Sequence, residues 1–121
     1  MEQDVEKAFG RVRRLAEALE LPETTAGTCY GTPALLVKGK TFVRMKDAAT
    51  LVVMCELEEK EMLMAFDPSR YFETDHYRGW PAMLVRLAAM DDEALTQRLI
   101  AAWRQKAPKR LAALFMLDKR A

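Results

Sequence analysis

The sequence predicts an α+β domain of two layers, in which an antiparallel sheet of about five strands carries N- and C-terminal helices on one side. Three observations predict it: helical spacing of apolar residues at both ends of the chain, alternation of apolar and polar residues in the middle, and Gly or Pro turns between the alternating segments. At 121 residues, half of them apolar, the chain is expected to form one domain over residues 1–121 with a substantial core.

The first predicted helix has apolar residues at i, i+3, i+4 and i+7 positions and is ended by Pro22. Asp4 stands where an N-cap residue is expected. The helix face opposite the apolar residues carries a basic stripe that includes Arg11. This stripe is either solvated or faces phosphate. Residues 23–28 are expected to form a connector.

The middle of the chain predicts three antiparallel strands joined by tight turns, at residues 34–37, 41–46 and 51–54. On the second of these strands, alternation places Phe42, Arg44 and Lys46 on one face. One face of the sheet must pack against helices, and the other is expected to be partly solvated.

The second half of the chain predicts a short helix at residues 57–66, which is stopped by a Pro, and then a strand at 71–74. A turn of residues 76–81 and a strand at 83–87 follow, and Arg86 in that strand should either pair with a carboxylate or be exposed. Asp91 is predicted to cap the next helix, which reaches about residue 106. Pro108 then begins a last turn or helix.

The net charge of +1 hides an asymmetry. Residues 1–77 carry 10 basic and 14 acidic side chains and residues 78–121 carry 9 and 4, so the two parts have net charges of −4 and +5. Such a split can make one surface attractive to phosphate. No long apolar run follows the acidic start, so we expect a cytoplasmic protein without a membrane span. Cys29 and Cys55 lack metal-binding spacing and are expected to be reduced thiols.

The chemistry of a catalytic site is poorly represented. His76 is the only histidine and Ser69 the only serine, so a triad or a metal cluster would have to form around His76 from distant residues. The glycines are isolated, and no phosphate-cradling loop can be drawn. We therefore expect no enzymatic activity, no cofactor and no metal.

Nucleic-acid binding is the remaining concrete function, because a sheet or hairpin can hold basic side chains along a phosphate backbone while aromatic rings stack or wedge. Each basic or aromatic residue proposed for such contacts could also serve only in packing or in solubility. The candidate contact residues are Lys38, Lys40, Arg44, Lys46, His76, Arg78, Trp80, Lys106, Lys109 and Arg110.

The chain also resembles a known family through an ordered series of short motifs. These are Tyr30-Gly31-Thr32-Pro33-Ala34, Lys38-Gly39-Lys40-Thr41-Phe42, Tyr71-Phe72, His76-Tyr77-Arg78-Gly79-Trp80-Pro81, Leu84-Val85-Arg86-Leu87, Trp103 and Ala107-Pro108-Lys109-Arg110. Their order and spacing are similar to those of the MmcQ/YjbR family of small bacterial proteins. The resemblance implies a frataxin-like α+β architecture. It also implies DNA binding through a double wing of hairpins, whose turns here would be near residues 38–40 and 76–81.

The sequence thus predicts a monomeric DNA-binding protein whose affinity is weak and dominated by phosphate contacts. The alternative is a non-catalytic module that binds a small molecule or a protein with the turn of residues 76–81. A third hypothesis, an enzyme centred on His76, requires the fold to bring a carboxylate, hydroxyl or thiol group to that residue.

Overall fold

A computed structural model describes the backbone of residues 2–120 and the side chains of residues 4–117. It contains the predicted helices at both ends and the predicted short helix in the middle. The helices are α1 (Glu2–Leu19), α2 (Leu57–Phe66), α3 (Asp92–Lys106) and α4 (Lys109–Arg120). Because α1 begins at Glu2, Asp4 lies inside the helix and is not its N-cap, contrary to the prediction.

The sheet has six antiparallel strands in the order β1-β2-β3-β4-β6-β5. The strands are β1 (Thr24–Cys29), β2 (Thr32–Val37), β3 (Lys40–Met45), β4 (Thr50–Met54), β5 (Tyr71–Phe72) and β6 (Ala82–Arg86). The α+β class is confirmed, but the predicted connector at 23–28 is wrong, because it holds β1. That strand is an exposed edge, so it needs no apolar alternation, and its pairing with β2 comes from the backbone.

One face of the sheet forms the core with the helices. Helix α1 contributes Phe9 and Val12 to this core, and α3 contributes Leu99 and Trp103. All four side chains are buried. Helix α4 joins this core through Phe115, whose ring lies 5.0 Å from that of Trp103. The prediction that the terminal helices cover one side of the sheet is therefore correct.

A β-bulge changes which side chains of β3 enter that core. The pairing with β2 shifts between Leu35 and Leu36, so Leu35 opposes Val43 while Leu36 opposes Thr41. Phe42 and Val43 are consecutive and both belong to the buried core, whereas Arg44 stays on the other face. Phe42 and Arg44 therefore do not share a face, because the extra residue of a bulge breaks the alternation on which that prediction depended.

The second face of the sheet is covered only in part. The segment of residues 73–81 folds over it, and Tyr77 from this segment packs with Val52, Ala82 and Leu84 in a small apolar cluster. Residues Thr25 and Gly27 of β1 stay exposed. We call the β1–β3 part of this second face, which the segment leaves uncovered, the open face.

Two local predictions are confirmed. The Asp91 side chain caps α3 by accepting a hydrogen bond of 2.7 Å from the backbone N–H of Ala94. Arg86 is exposed, with its guanidinium 3.9 Å above the Phe72 ring. Among the helices of residues 2–120, none is both long and apolar enough for a membrane span.

Candidate nucleic-acid interface

A buried lysine fixes the turn that carries His76, Arg78 and Trp80. Lys60 of α2 is 1% exposed. Its Nζ donates to the carbonyl oxygens of Tyr77 and Trp80, at 2.7 and 2.9 Å, and lies 2.8 Å from a carboxylate oxygen of Glu73. The three acceptors match the three N–H donors of an ammonium group, so the buried charge is fully paired. The turn is therefore anchored to α2 from inside the protein.

The polar side chains of this turn are partly neutralised. Arg78 forms an ion pair of 2.7 Å with Asp75 and approaches Glu73 at 3.8 Å, so its charge is compensated locally. His76 is exposed, and its ring meets the edge of Tyr77 with centroids 5.0 Å apart. Trp80 is 62% exposed. Among the side chains of residues 4–117, His76 has no hydrogen bond to a carboxylate, hydroxyl or thiol group.

Arg44 is held differently, because all its hydrogen-bond acceptors are neutral. Its Nη2 donates to the hydroxyl of Tyr77, and its Nη1 donates to Thr32 Oγ1 at 3.4 Å and to the Met45 carbonyl at 3.3 Å. Its guanidinium carbon lies 5.3 Å from the centre of the Tyr30 ring. No carboxylate pairs with Arg44 within the described side chains, so its charge is uncompensated there.

The donor count of Arg44 leaves capacity for a ligand. A guanidinium carries five N–H donors, of which the described contacts use three. The side chain is half-buried and oriented by its neighbours. A positioned, uncompensated guanidinium with free donors is suited to bind an oxyanion, because charge-assisted hydrogen bonds from arginine to phosphate are among the strongest in proteins.

The register of the strands places the other candidates at opposite ends of the sheet. Lys40 pairs with Val37 at the end that holds the Lys38-Gly39 turn, which we call the Lys38 end. Lys46 follows β3 at the other end, where the Tyr30-Gly31 turn lies, and we call this the Tyr30 end. The six residue steps from Lys40 to Lys46 span about 20 Å at the usual rise of a strand. Both lysines are exposed.

The turn of residues 76–81 also reaches the Lys38 end. Met54 pairs with Ala82 there, and the Cys55 N–H donates to the Pro81 carbonyl at 3.0 Å. The Lys38 Nζ lies 3.8 Å from a carboxylate oxygen of Glu23. Because this carboxylate partly compensates the charge of Lys38, the lysine is a weaker ligand for phosphate. The two turns that the family resemblance implies are thus at one end of the sheet, with β4 between β3 and β6.

The basic residues of the last two helices lie at the Lys38 end as well. Trp103 Nε1 donates to the Pro22 carbonyl at 3.1 Å, and this bond fixes the C-terminal part of α3 beside the start of β1. Lys106 ends α3, and Lys109 and Arg110 begin α4. Lys109 lines an open cleft of about 770 Å³ together with Arg104, Glu56 and Glu59. The charges around this cleft are therefore mixed.

The two thiols are free, and Cys55 lies in the wall of the same cleft. Burial raises the pKa of Cys55 to about 11, and the nearby Glu59 carboxylate adds to that increase. The thiol is therefore protonated at neutral pH and a poor nucleophile. Within the described part of the chain, no group of His, Cys, Asp and Glu side chains could hold a metal ion.

Two residues that matter for this surface were not among the predicted contacts. Lys60 lies within the predicted short helix of residues 57–66, and no sequence signal separates it from its exposed neighbours. Tyr30 did carry a signal, because it stands before Gly31 in a two-residue hairpin turn, where Asn, Asp or Gly is usual. Its backbone φ is 52°, in the left-handed region.

These features define an α+β protein with a two-layer fold and a sheet whose open face presents arginine and tyrosine side chains. The chain belongs to the YjbR family, whose family model matches residues 19–105. It is 42% identical over 59 residues to uncharacterized proteins of Mycobacterium bovis and of two strains of Mycobacterium tuberculosis. The match covers 49% of this chain and 46% of those proteins, so it spans about half of their length. No solved structure matches the chain.

Proposed function

We propose that this protein binds DNA weakly through phosphate contacts. The observation that carries the proposal is the Arg44 guanidinium, which lies on the open face with two free N–H donors and only neutral partners. Lys46 follows two residues later, directly after the end of β3, and is exposed and without an ion pair in the described region. Two cations about 7 Å apart on one face can contact phosphates along a strand.

Charge compensation separates the candidate residues into stronger and weaker ones. Arg78 and Lys38 each face a carboxylate and should contribute little. Lys40 is exposed at the Lys38 end, and Lys106, Lys109 and Arg110 can add contacts there. With two to four phosphate contacts, the logarithm of the binding constant should fall with the logarithm of salt concentration at a slope of about −2 to −4. The small number of contacts and the net charge of +1 explain why the affinity is weak.

Fluorescence anisotropy of labelled duplex and single-stranded DNA, measured at about 50 and about 200 mM salt, tests this function. Arg44→Gln should weaken binding at least about fivefold, as loss of a charge-assisted phosphate contact does. Arg78→Gln is the matched control and should change affinity less than twofold, because Asp75 and Glu73 already compensate that charge. Equal losses in the two variants, with both folded by circular dichroism, would contradict the placement of the site.

The surface at the Lys38 end is tested separately. The double variant Lys40→Glu with Lys109→Glu should reduce binding if this end also contacts phosphate, and it leaves Arg44 unchanged. If that variant binds like the wild type while Arg44→Gln does not, contacts are confined to the open face. Absence of salt-dependent binding to any DNA at the lower salt would refute the proposed function.

The alternative function uses the exposed Trp80. Its side chain is 62% exposed, while its backbone carbonyl accepts a hydrogen bond from the buried Lys60. An exposed aromatic residue on an anchored turn is suited to a small-molecule or protein contact. Such a ligand should change Trp80 fluorescence without dependence on salt, whereas a phosphate-driven ligand should lose affinity as salt increases. The salt dependence of the response therefore separates the two functions.

A further inference from the structure

Tyr30 is exposed to a degree that packing does not explain. It is 89% exposed, and its ring contact among the described residues is with the Arg44 guanidinium. It occupies the first position of the turn between β1 and β2, with φ of 52°, followed by Gly31 with φ of 78°. Two positive φ angles define the hairpin turn that favours Asn-Gly, so a tyrosine there is strained and gains no burial in return. For the stability of the turn alone, Asn would be a more favourable residue at this position.

The ring and the guanidinium form a pair that fits a nucleotide. Arg44 covers one side of the Tyr30 ring at 5.3 Å, and the exposed remainder is free to stack with a flat ligand. The two free N–H donors of Arg44 are available to a phosphate next to that ligand. We propose that the open face binds single-stranded DNA, with one unpaired base stacked on Tyr30 and a neighbouring phosphate on Arg44. This inference rests on the proposed function and specifies its ligand.

The shape of the open face favours a single strand over a duplex. Stacking needs the flat face of a base, which a duplex hides between neighbouring base pairs. Beside the turn, the open face presents the short exposed residues Thr25 and Gly27 of β1, which leave room for an extended strand. Tyr77 and Phe72 on this side are already engaged, since the Tyr77 hydroxyl accepts a hydrogen bond from Arg44 and the Phe72 ring lies under Arg86.

The test compares a labelled 20-nucleotide strand with the same sequence as a duplex, at about 50 mM salt, for the wild type and two variants. Tyr30→Asn removes the ring while favouring the turn, so the fold should be retained. It should weaken single-strand binding by about 5- to 150-fold, the range that stacking of one base supplies, and change duplex binding less than twofold. Tyr30→Phe keeps the ring and should bind single strands within about twofold of the wild type.

The outcomes separate this inference from the function on which it rests. Tighter binding of the single strand, lost in Tyr30→Asn and kept in Tyr30→Phe, supports it. Equal affinity for both forms, or unchanged single-strand binding by Tyr30→Asn, overturns it. If Arg44→Gln still weakens binding in that case, phosphate binding stands without the stacked base. If neither form of DNA binds in a salt-dependent way, the inference and the proposed function both fail.

Discussion

At the scale of single residues, the structure assigns different states to the two cysteines. Cys55 is 2% exposed and follows β4 into the core, whereas Cys29 ends the edge strand β1 and is half-buried. Burial raises the pKa of Cys55 from 9.0 to about 11, because a thiolate loses its hydration in the protein interior. Cys55 therefore acts as a small apolar residue of the core.

The raised pKa of Cys55 predicts a pH dependence of stability. Between about pH 9 and 11 the thiol of the unfolded chain ionises while the folded one stays protonated, so the unfolded state binds fewer protons. The free energy of unfolding should therefore fall as pH rises, with a contribution of up to about 1.4 kcal/mol per pH unit. Urea denaturation from pH 8 to pH 10.5 under reducing conditions measures the slope.

The comparison that isolates this effect is with Cys55→Ala. Ionisation of lysine and tyrosine side chains affects both proteins equally, so the difference between the two slopes belongs to the thiol. The slope of the free energy of unfolding against pH should be shallower for Cys55→Ala than for the wild type. Parallel curves for the wild type and Cys55→Ala would show that Cys55 ionises alike in the folded and unfolded states.

At the scale of elements, the segment of residues 73–81 depends on a helix that lies apart from it in sequence. Lys60 of α2 joins the two carbonyl oxygens of Tyr77 and Trp80 to the Glu73 carboxylate. A buried ammonium group without partners would be very costly, so helix and segment must be positioned together. The segment in turn places Tyr77 against Arg44, which links α2 indirectly to the open face.

Lys60→Met should release this segment. The substitution keeps most of the aliphatic chain but leaves two carbonyl groups and a carboxylate without their buried donor, so the free energy of unfolding should fall by about 2–4 kcal/mol. Trp80 should become more mobile, which its fluorescence anisotropy reports. Glu61→Met, at an exposed position of the same helix, is the control and should change stability by less than about 0.5 kcal/mol. If the two variants are equally stable, the Lys60 contacts do not hold the segment.

Elements with a clear hydrophobic pattern or cap in their own residues could be predicted from the sequence. Elements that form through pairing with another strand could not. Helical spacing and the Asp91 cap predicted α3, because these signals act within one element. Strand β1 has no apolar pattern, since its register is set by the backbone of β2. The bulge at Phe42 likewise depends on the partner strand.

The candidate site shows the same division. The alternation of apolar and polar residues predicted that Arg44 and Lys46 are basic residues on a strand. Sequence spacing does not show which carboxylates pair with them in the fold. The ion pairs of Arg78 with Asp75 and Glu73, and the absence of such a partner for Arg44 in the described part of the chain, arise from the folded arrangement. Residue type therefore predicted the class of surface, and only the fold distinguished its compensated charges from its uncompensated ones.

At the scale of the whole molecule, the family segment and the folding unit differ. The family model covers residues 19–105, which excludes nearly all of α1 and all of α4. Yet Phe9 and Val12 of α1 are buried against the sheet, and Phe115 of α4 covers Trp103. Arg11, part of the basic stripe on α1, donates to the carbonyl oxygens of Leu87 and Met90, so it supports the fold instead of facing phosphate.

A fragment of residues 19–105 should therefore not fold alone. Full burial of Phe9, Val12 and Phe115 contributes about 1.5–3 kcal/mol for each side chain, and together this approaches the total stability of about 5–15 kcal/mol that domains have. Far-UV circular dichroism and the amide dispersion of a nitrogen–proton correlation spectrum should show an unfolded chain. A fragment of residues 1–107 keeps α1 and should retain more structure than one of residues 19–121, because α1 buries two of these side chains and α4 only one. Cooperative melting of the 19–105 fragment would instead mean that the family segment is itself the folding unit and that the terminal helices are additions to its surface.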